Sequence, residues 1–259
     1  MTWHPDMPME YRNQIVTGDR LLTKQKGTIG PYLLGPNDDV NQGIYTGDCR
    51  ELAKVIPDES VDLIFTDPPY LREYLYLYDW LAETAKRVLR PGGFCLPYVA
   101  VYWKDRVMAM MGKFLNYYFD LVLVNSGQSP IMWQRKIISR HKSILAYTRD
   151  KGTVARTMVL SLWNGGGEDK RYHIWGQDES SARYYTDCFS SVDQVVWDPF
   201  AGGGTTPAVC RMLNRNYVAF EIDPTTADNA RRRVAETQPP LPGIDEMLQV
   251  EMFAGVEVI

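Results

Sequence analysis

The stretch from Gln194 to Asp223 leaves a chain of this kind few ways to fold. An apolar run, Gln194-Val195-Val196-Trp197, passes into Asp198-Pro199-Phe200-Ala201-Gly202-Gly203-Gly204-Thr205-Thr206, and a second run, Tyr217-Val218-Ala219-Phe220, ends on Glu221-Ile222-Asp223. The pattern predicts strand, glycine turn, helix, strand. The glycines let the backbone bend sharply and approach a ligand with no Cβ in the way. Thr205 or Thr206 is expected to cap the helix, with Pro207 in its first turn. An acid at the end of the second strand, about 20 residues past a glycine turn, is how such units hold ribose hydroxyls.

The same alternation runs through most of the chain. Short apolar strands are expected at 43–48, 61–66, 94–102, 121–124 and 143–147, besides the two above. Helices are expected at 49–56, 78–89 and 106–116, and after each of the last two strands. This predicts an α/β fold: a seven-stranded, mostly parallel sheet with helices on both faces. Such sheets carry their ligands at the carboxyl ends of the strands. Residues 1–42, rich in Pro, Gly and Asn-Asp-Asp, read as an irregular arm, 43–237 as the domain proper and 238–259 as an acidic tail.

Two familiar readings of the glycine turn fail. A phosphate-binding P-loop needs Lys after the last glycine, where Thr205 stands, and the G-x-G-x-x-G dinucleotide pattern needs Gly or Ala at position 207, where Pro207 stands. Asp198 would repel a phosphate but suits a cationic or amino-bearing nucleoside, of which S-adenosylmethionine is one. A second motif, Asp67-Pro68-Pro69-Tyr70, follows the strand expected at 61–66. Its prolines remove two N–H donors and stiffen the chain, leaving the Pro68 carbonyl as a free acceptor beside Asp67. Tyr70 adds an aromatic face. Two acceptors and a ring suit a flat heterocycle with an exocyclic amine, whose nitrogen lone pair is then turned toward an electrophile.

Together these motifs resemble the S-adenosylmethionine-dependent amino-methyltransferases of DNA, which act on adenine N6 or cytosine N4. That family carries a D/N/S-P-P-Y/F/W motif for the target base and an F-x-G-x-G motif for the cofactor, here Asp67-Pro68-Pro69-Tyr70 and Phe200-Ala201-Gly202-Gly203-Gly204. The base motif comes first, which resembles the circularly permuted β group. The resemblance covers about residues 43–235 and implies a Rossmann-like methyltransferase fold. It implies that Asp67, Pro68, Pro69 and Tyr70 hold a flipped base and carry the catalysis. Asp198, Gly202 and Gly204 would shape the methionine side of the cofactor site, with Pro199, Phe200, Ala201 and Thr205 around them. Glu221 would bind the ribose and Ile222 would pack on the cofactor adenine. Asp48 would accept from the adenine amino group, with Cys49 beside it and Asp67 shared between the two sites. Gln177 and Ser180 fall where the family has a further cofactor segment. An aspartate at position 67 is commoner among the adenine enzymes, so the resemblance favours N6 over N4; an RNA base or a protein amide fits the same pocket logic. A catalytically silent nucleic-acid-binding subunit would show damage to one motif, and both are intact. Restriction partner, phage self-protection and gene regulation fit the sequence equally.

Between the last predicted mid-chain strand and the cofactor loop, only the 29 residues 148–176 are available for a compact target-recognition loop, in which Trp163-Asn164-Gly165-Gly166-Gly167 reads as mobile. Arg135, Lys136, Arg140 and Lys142, with no acid between them, are candidate phosphate contacts. Arg231-Arg232-Arg233 reads as a solvated helix face, and the alternating Tyr74, Tyr76, Tyr78, Trp80 as ordinary packing. The net charge of −4 lies wholly in residues 238–259, so the body is neutral and global charge does not exclude DNA. Four scattered cysteines and three histidines offer no zinc spacing, which predicts no metal and a reducing cytoplasm. No apolar run reaches the ~18 residues of a membrane span, and the first residues lack a signal-peptide pattern. A homodimer is expected from the family resemblance alone.

Overall fold

The structure, a computed structural model, describes residues 43–124, 131–164 and 179–238. The arm at 1–42 and all but the first residue of the acidic tail lie outside them. Strands β1 (Ile44–Thr46), β2 (Val61–Thr66), β3 (Leu89–Val99), β4 (Asn116–Val124), β7 (His141–Thr148), β8 (Leu162–Asn164), β9 (Val195–Asp198) and β10 (Asn216–Glu221) form one sheet. Its order is β1-β10-β9-β2-β3-β7-β4-β8. The first five run parallel, β7 is antiparallel to both its neighbours, and β8 is parallel to β4. Two short strands, β5 (Ile131–Met132) and β6 (Ile137–Ile138), make a separate antiparallel hairpin.

All seven expected strands are present, and the sheet has an eighth. β8 and the hairpin escaped the sequence reading because runs of two or three residues carry too little periodicity. β8 also corrects the mobile reading of Trp163 and Asn164. They pair with Leu123 and Val124, and the Trp163 ring stacks on Tyr184 with centroids 4.4 Å apart.

Helices α1 (Cys49–Leu52), α2 (Tyr76–Val88) and α3 (Lys104–Met111) pack one face of the sheet through Leu52, Leu81, Val88 and Met111. Helices α4 (Glu179–Phe189), α5 (Thr205–Met212) and α6 (Pro224–Glu236) pack the other through Tyr185, Val209 and Val234. β2 feeds both cores by alternation: Ile64 enters the first, Leu63 and Phe65 the second. Such two-sided burial is why its centre, Leu63-Ile64-Phe65, is apolar at successive positions. Its one acid, Asp62, is satisfied by Arg90 at 2.8 Å and by the Val195 N–H at 2.8 Å. None of the helices among the described residues is long and apolar enough to cross a membrane.

Arg231 and Arg233 overturn the solvated-face reading, since both are buried and only Arg232 is exposed. Arg231 donates to the Ile44 carbonyl and the Thr46 hydroxyl, both at 2.9 Å, and so fastens α6 to β1. Arg233 reaches Glu179 at 2.7 Å and the Thr205 hydroxyl at 2.9 Å, joining α6 to α4 and to the start of α5. A helix is buried on one stripe, and positions 231 and 233 flank that stripe while sheltered by α4 and β1.

The site follows from one pairing. β2 lies beside β9, with Leu63 opposite Val196 and Ile64 opposite Trp197. Their exits, the Asp-Pro-Pro-Tyr segment and the glycine turn, therefore emerge side by side, 131 residues apart in sequence between Asp67 and Asp198. β10 and β1 bring Glu221 and Asp48 to the same edge, with Thr46 opposite Glu221.

Candidate functional site

A cavity of about 760 Å³ opens at this edge, within the range of small-ligand sites. One wall is the exit of β9. Asp198 is 4% exposed and accepts from the Thr66 hydroxyl at 2.6 Å and the Phe200 N–H at 3.1 Å. Burial pushes its carboxyl up to about 6, although the hydroxyls of Thr66 and Thr206 and the Phe200 N–H pull the other way. The glycine turn docks on β10 through Ala201 N–H to Phe220 carbonyl at 2.8 Å. Gly202 N–H donates to one Glu221 oxygen and Asp223 N–H to the other, each at 2.9 Å. Burial lifts the Glu221 carboxyl above its usual range while those N–H groups hold it down. Asp223 in turn caps α6, accepting from Thr226 N–H at 2.7 Å. At the rim, Ile222 is 64% exposed, an apolar side chain with open space over it.

Asp48 caps α1, accepting from Arg50 N–H at 2.9 Å, and pairs with the Arg50 guanidinium at 2.6 Å. Burial raises its carboxyl, but the Arg50 bonds and charge outweigh this and hold it below its usual value. Next to it, burial and then the Asp48 charge push the Cys49 thiol up to about 12, so it stays a neutral packing group.

Beside the exit of β9, the second wall is the exit of β2. Pro68 is buried, Pro69 exposed, and Asp67 and Tyr70 half-buried. The Tyr70 hydroxyl donates to Asp67 Oδ1. Burial, then the Asp67 charge, raise the tyrosine well above its usual range, so it remains a donor. Lys142, at the start of β7, places its Nζ 5.9 Å from the centre of the Tyr70 ring.

The cavity thus gathers Asp48, Cys49, the whole base motif, Asp198 to Gly202, Thr205, Glu221 and Ile222, as the sequence led us to expect. Three expectations change. Gly204 does not line it: its φ of +76° and its contact with α6, where a Cβ would meet the Ala230 Cβ at 2.8 Å, make it a packing glycine. It is also the N-cap of α5, without a side-chain bond, so neither Thr205 nor Thr206 caps that helix. Ser180 is exposed and accepts from Trp163 Nε1 at 3.1 Å; Ala182, two residues on, lines the cavity instead. Lys142 belongs to the cavity, whereas Arg135, Lys136 and Arg140 do not. Gln177 lies outside the described residues.

Sequence reasoning missed Tyr74, Tyr76, Tyr98, Thr66, Gly203 and Thr206. The aromatic run splits in two. Tyr78 and Trp80 pack, Tyr78 donating to the Tyr98 carbonyl at 2.9 Å and Trp80 meeting Trp197 edge-on. Tyr74 and Tyr76 stay half open on the cavity. The signal was available: the stripe Leu77, Leu81, Ala85, Val88 leaves Tyr76 off the buried face.

A family model for DNA methylases of the N6/N4 type matches residues 163–232, which include the glycine turn and Glu221. The type II methyltransferase M.BamHI of Bacillus amyloliquefaciens is 28% identical over 69% of this chain and 54% of its own length. M.HinfI of Haemophilus influenzae is 28% identical over 83% of this chain and 74% of its own length. Among solved structures, the cytosine-N4-specific PvuII DNA methyltransferase superposes with a TM-score of 0.65 at 19% identity, over 82% of this chain and 90% of that one. M1.HpyAVI, solved as its complex with S-adenosylmethionine, gives 0.61 at 19% identity, over 74% and 98%. These matches make the chain similar to S-adenosylmethionine-dependent amino-methyltransferases of the N4/N6 class, in sequence over the glycine turn and in fold over most of its length. The alignment spans about half of the BamHI relative.

Proposed function

We propose that the chain transfers a methyl group to the exocyclic amine of a base flipped out of DNA, adenine N6 in preference to cytosine N4. The observation that carries this is the shared cavity. The base motif and the glycine turn both line it, side by side, and the Thr66–Asp198 bond locks the two exits together. The preference for adenine rests on Asp67 at the head of the motif.

The donor set fits the cofactor. Glu221 offers a carboxylate anchored by two backbone N–H groups, leaving lone pairs for a ribose diol. Asp198 offers a buried negative charge to a cationic centre, and Ile222 an apolar plate to a purine. S-adenosylmethionine, when bound, supplies an electrophilic methyl on a sulfonium. The chain supplies alignment and a partly negative surround. The Asp67 carboxylate and the Pro68 carbonyl accept the two amine hydrogens and turn the nitrogen lone pair toward the glycine-turn wall. As the amine becomes cationic, Asp67 accepts its surplus proton. Tyr70, tethered to Asp67, presents its ring to the base. A stacked base cannot reach such a pocket, so the target must leave the duplex. Arg135, Lys136 and Arg140 act as phosphate contacts beside it.

The test is incubation with mixed-sequence DNA and cofactor, followed by nucleoside mass spectrometry. N6-methyladenine is the expected product. N4-methylcytosine would move the specificity to the other base, and no modified nucleoside would overturn the reading.

A further inference from the structure

Among the described residues around the cavity mouth, the β5–β6 hairpin leaves most of its large apolar side chains exposed. The β5–β6 hairpin pairs Ile131 with Ile138 and Met132 with Ile137 and turns through Trp133-Gln134-Arg135-Lys136. Lys136 closes the turn in the left-handed region, at φ +54°, with its N–H on the Trp133 carbonyl at 3.2 Å. A fold would be expected to bury the aromatic and aliphatic side chains of such a hairpin. Instead Trp133 is 76% exposed, and Ile137 and Ile138 are at least half exposed.

The position of the hairpin is fixed by its ends. It stands between β4 and β7, and β7 is antiparallel to β3, so the hairpin leaves the sheet at the edge that carries the cavity. Lys142, a few residues past it, lines that cavity. The Arg135 guanidinium lies 4.0 Å from the centre of the Tyr102 ring, just beyond the end of β3, whose Tyr98 lines the cavity as well. Residues 131–142 carry four cations and no acid, complementary to a polyanion and unlike the core of an interface between two protein surfaces.

We propose that this hairpin is a wedge for duplex DNA, with Trp133 stacking in the gap beside the flipped base while Arg135, Lys136 and Arg140 hold the flanking phosphates. The inference rests on the DNA reading above and adds the element that opens the duplex. Apolar side chains inserted at a base step unstack it, and an indole replaces part of the lost stacking.

The test compares plasmid duplex with the same plasmid heat-denatured, using wild type, Trp133→Ala and Trp133→Phe. Trp133→Ala should slow methylation of duplex by about tenfold or more, the scale of one lost base stack. Denatured strands, already unstacked, should change less than about threefold, and Trp133→Phe should restore much of the duplex rate. Independently, the emission that distinguishes wild type from Trp133→Phe should be quenched by duplex. Equal loss on both substrates, no loss on duplex, or no quenching would overturn the wedge. So would a shift in oligomeric state with unchanged duplex rates, which would make the hairpin a contact between copies. Wild type that modifies neither form of DNA would instead overturn the reading on which the wedge rests.

Discussion

The two walls of the cavity are built on different principles. The β9–β10 wall is held largely at backbone groups: the Ala201 N–H docks on the Phe220 carbonyl, the Gly202 and Asp223 N–H groups grip the Glu221 carboxylate, and the buried Arg231 and Arg233 side chains fasten α6 behind it. The β2 wall is held by side chains: two prolines, and a tyrosine tied to an aspartate. A wall made of backbone is preorganised but intolerant, because each change disturbs folding and binding together. A wall made of side chains sits on a rigid strand and can be altered with little effect on the fold. The contrast predicts which measurement each substitution moves.

The largest effect belongs to the side-chain wall. Asp67→Ala should cut methylation by about 100-fold or more, the usual cost of a lost charge-stabilising group, while the thermal midpoint stays close to wild type. Wild-type transfer of tritiated methyl by this variant would remove Asp67 from the chemistry. On the backbone wall, Glu221→Ala should weaken cofactor binding by about 10- to 100-fold in calorimetry, as hydrogen bonds to a charged acceptor are lost. It should also lower stability, because the Gly202 and Asp223 N–H groups lose their partner; an unchanged melting curve would erase the contrast between the walls. Smaller still, Gly204→Ala should cost about 2 kcal/mol in urea unfolding, from a side chain forced to positive φ and into Ala230. A neutral result would mean that α5 and α6 separate freely.

The smallest effect is a pH dependence. The Asp198 carboxyl titrates near 6 in the fold, against 3.8 as its ordinary value. A raised acid means the folded state holds its proton longer, so this group's contribution makes the cofactor-free protein lose stability as pH rises through that window. Binding of a cation has the opposite sign: affinity should fall below about pH 6, by at most tenfold per pH unit. Asp198→Asn should flatten both profiles, and a slope that survived it would assign the titration elsewhere.

The sequence was most informative where chemistry and periodicity coincide. β2 was legible because a strand covered on both faces is apolar at successive positions, here Leu63, Ile64 and Phe65. The motifs at its exit and at that of β9 were legible because prolines and glycines there serve geometry. What could not be read depended on neighbours distant in sequence. Two basic runs look alike on paper, yet Arg231 and Arg233 are buried structural ties while Arg135 and Lys136 stand on an open hairpin. Burial of a guanidinium is decided by what packs over it, here Ile44 and Glu179. Gly204 is similar, since the loop motif names it but Ala230 explains it. Ser180 was misplaced because helix α4 has a polar sequence whose phase is set only by contact with α5 and β2.

The strand order also orders synthesis. β2, β3, β4 and β7 all fall within residues 61–148 and can pair as soon as they leave the ribosome. β1 emerges before them but waits for β10, and the Arg231–Ile44 bond spans 187 residues. At about 5–20 residues per second, the interval between β2 and β9 is on the order of ten seconds. During it, the edge of β2 that later receives β9 is an unpaired parallel edge with Leu63, Ile64 and Phe65 at its centre. The nascent chain therefore displays its Asp-Pro-Pro-Tyr segment before it owns a place for a methyl donor, and its aggregation risk is concentrated in that one window.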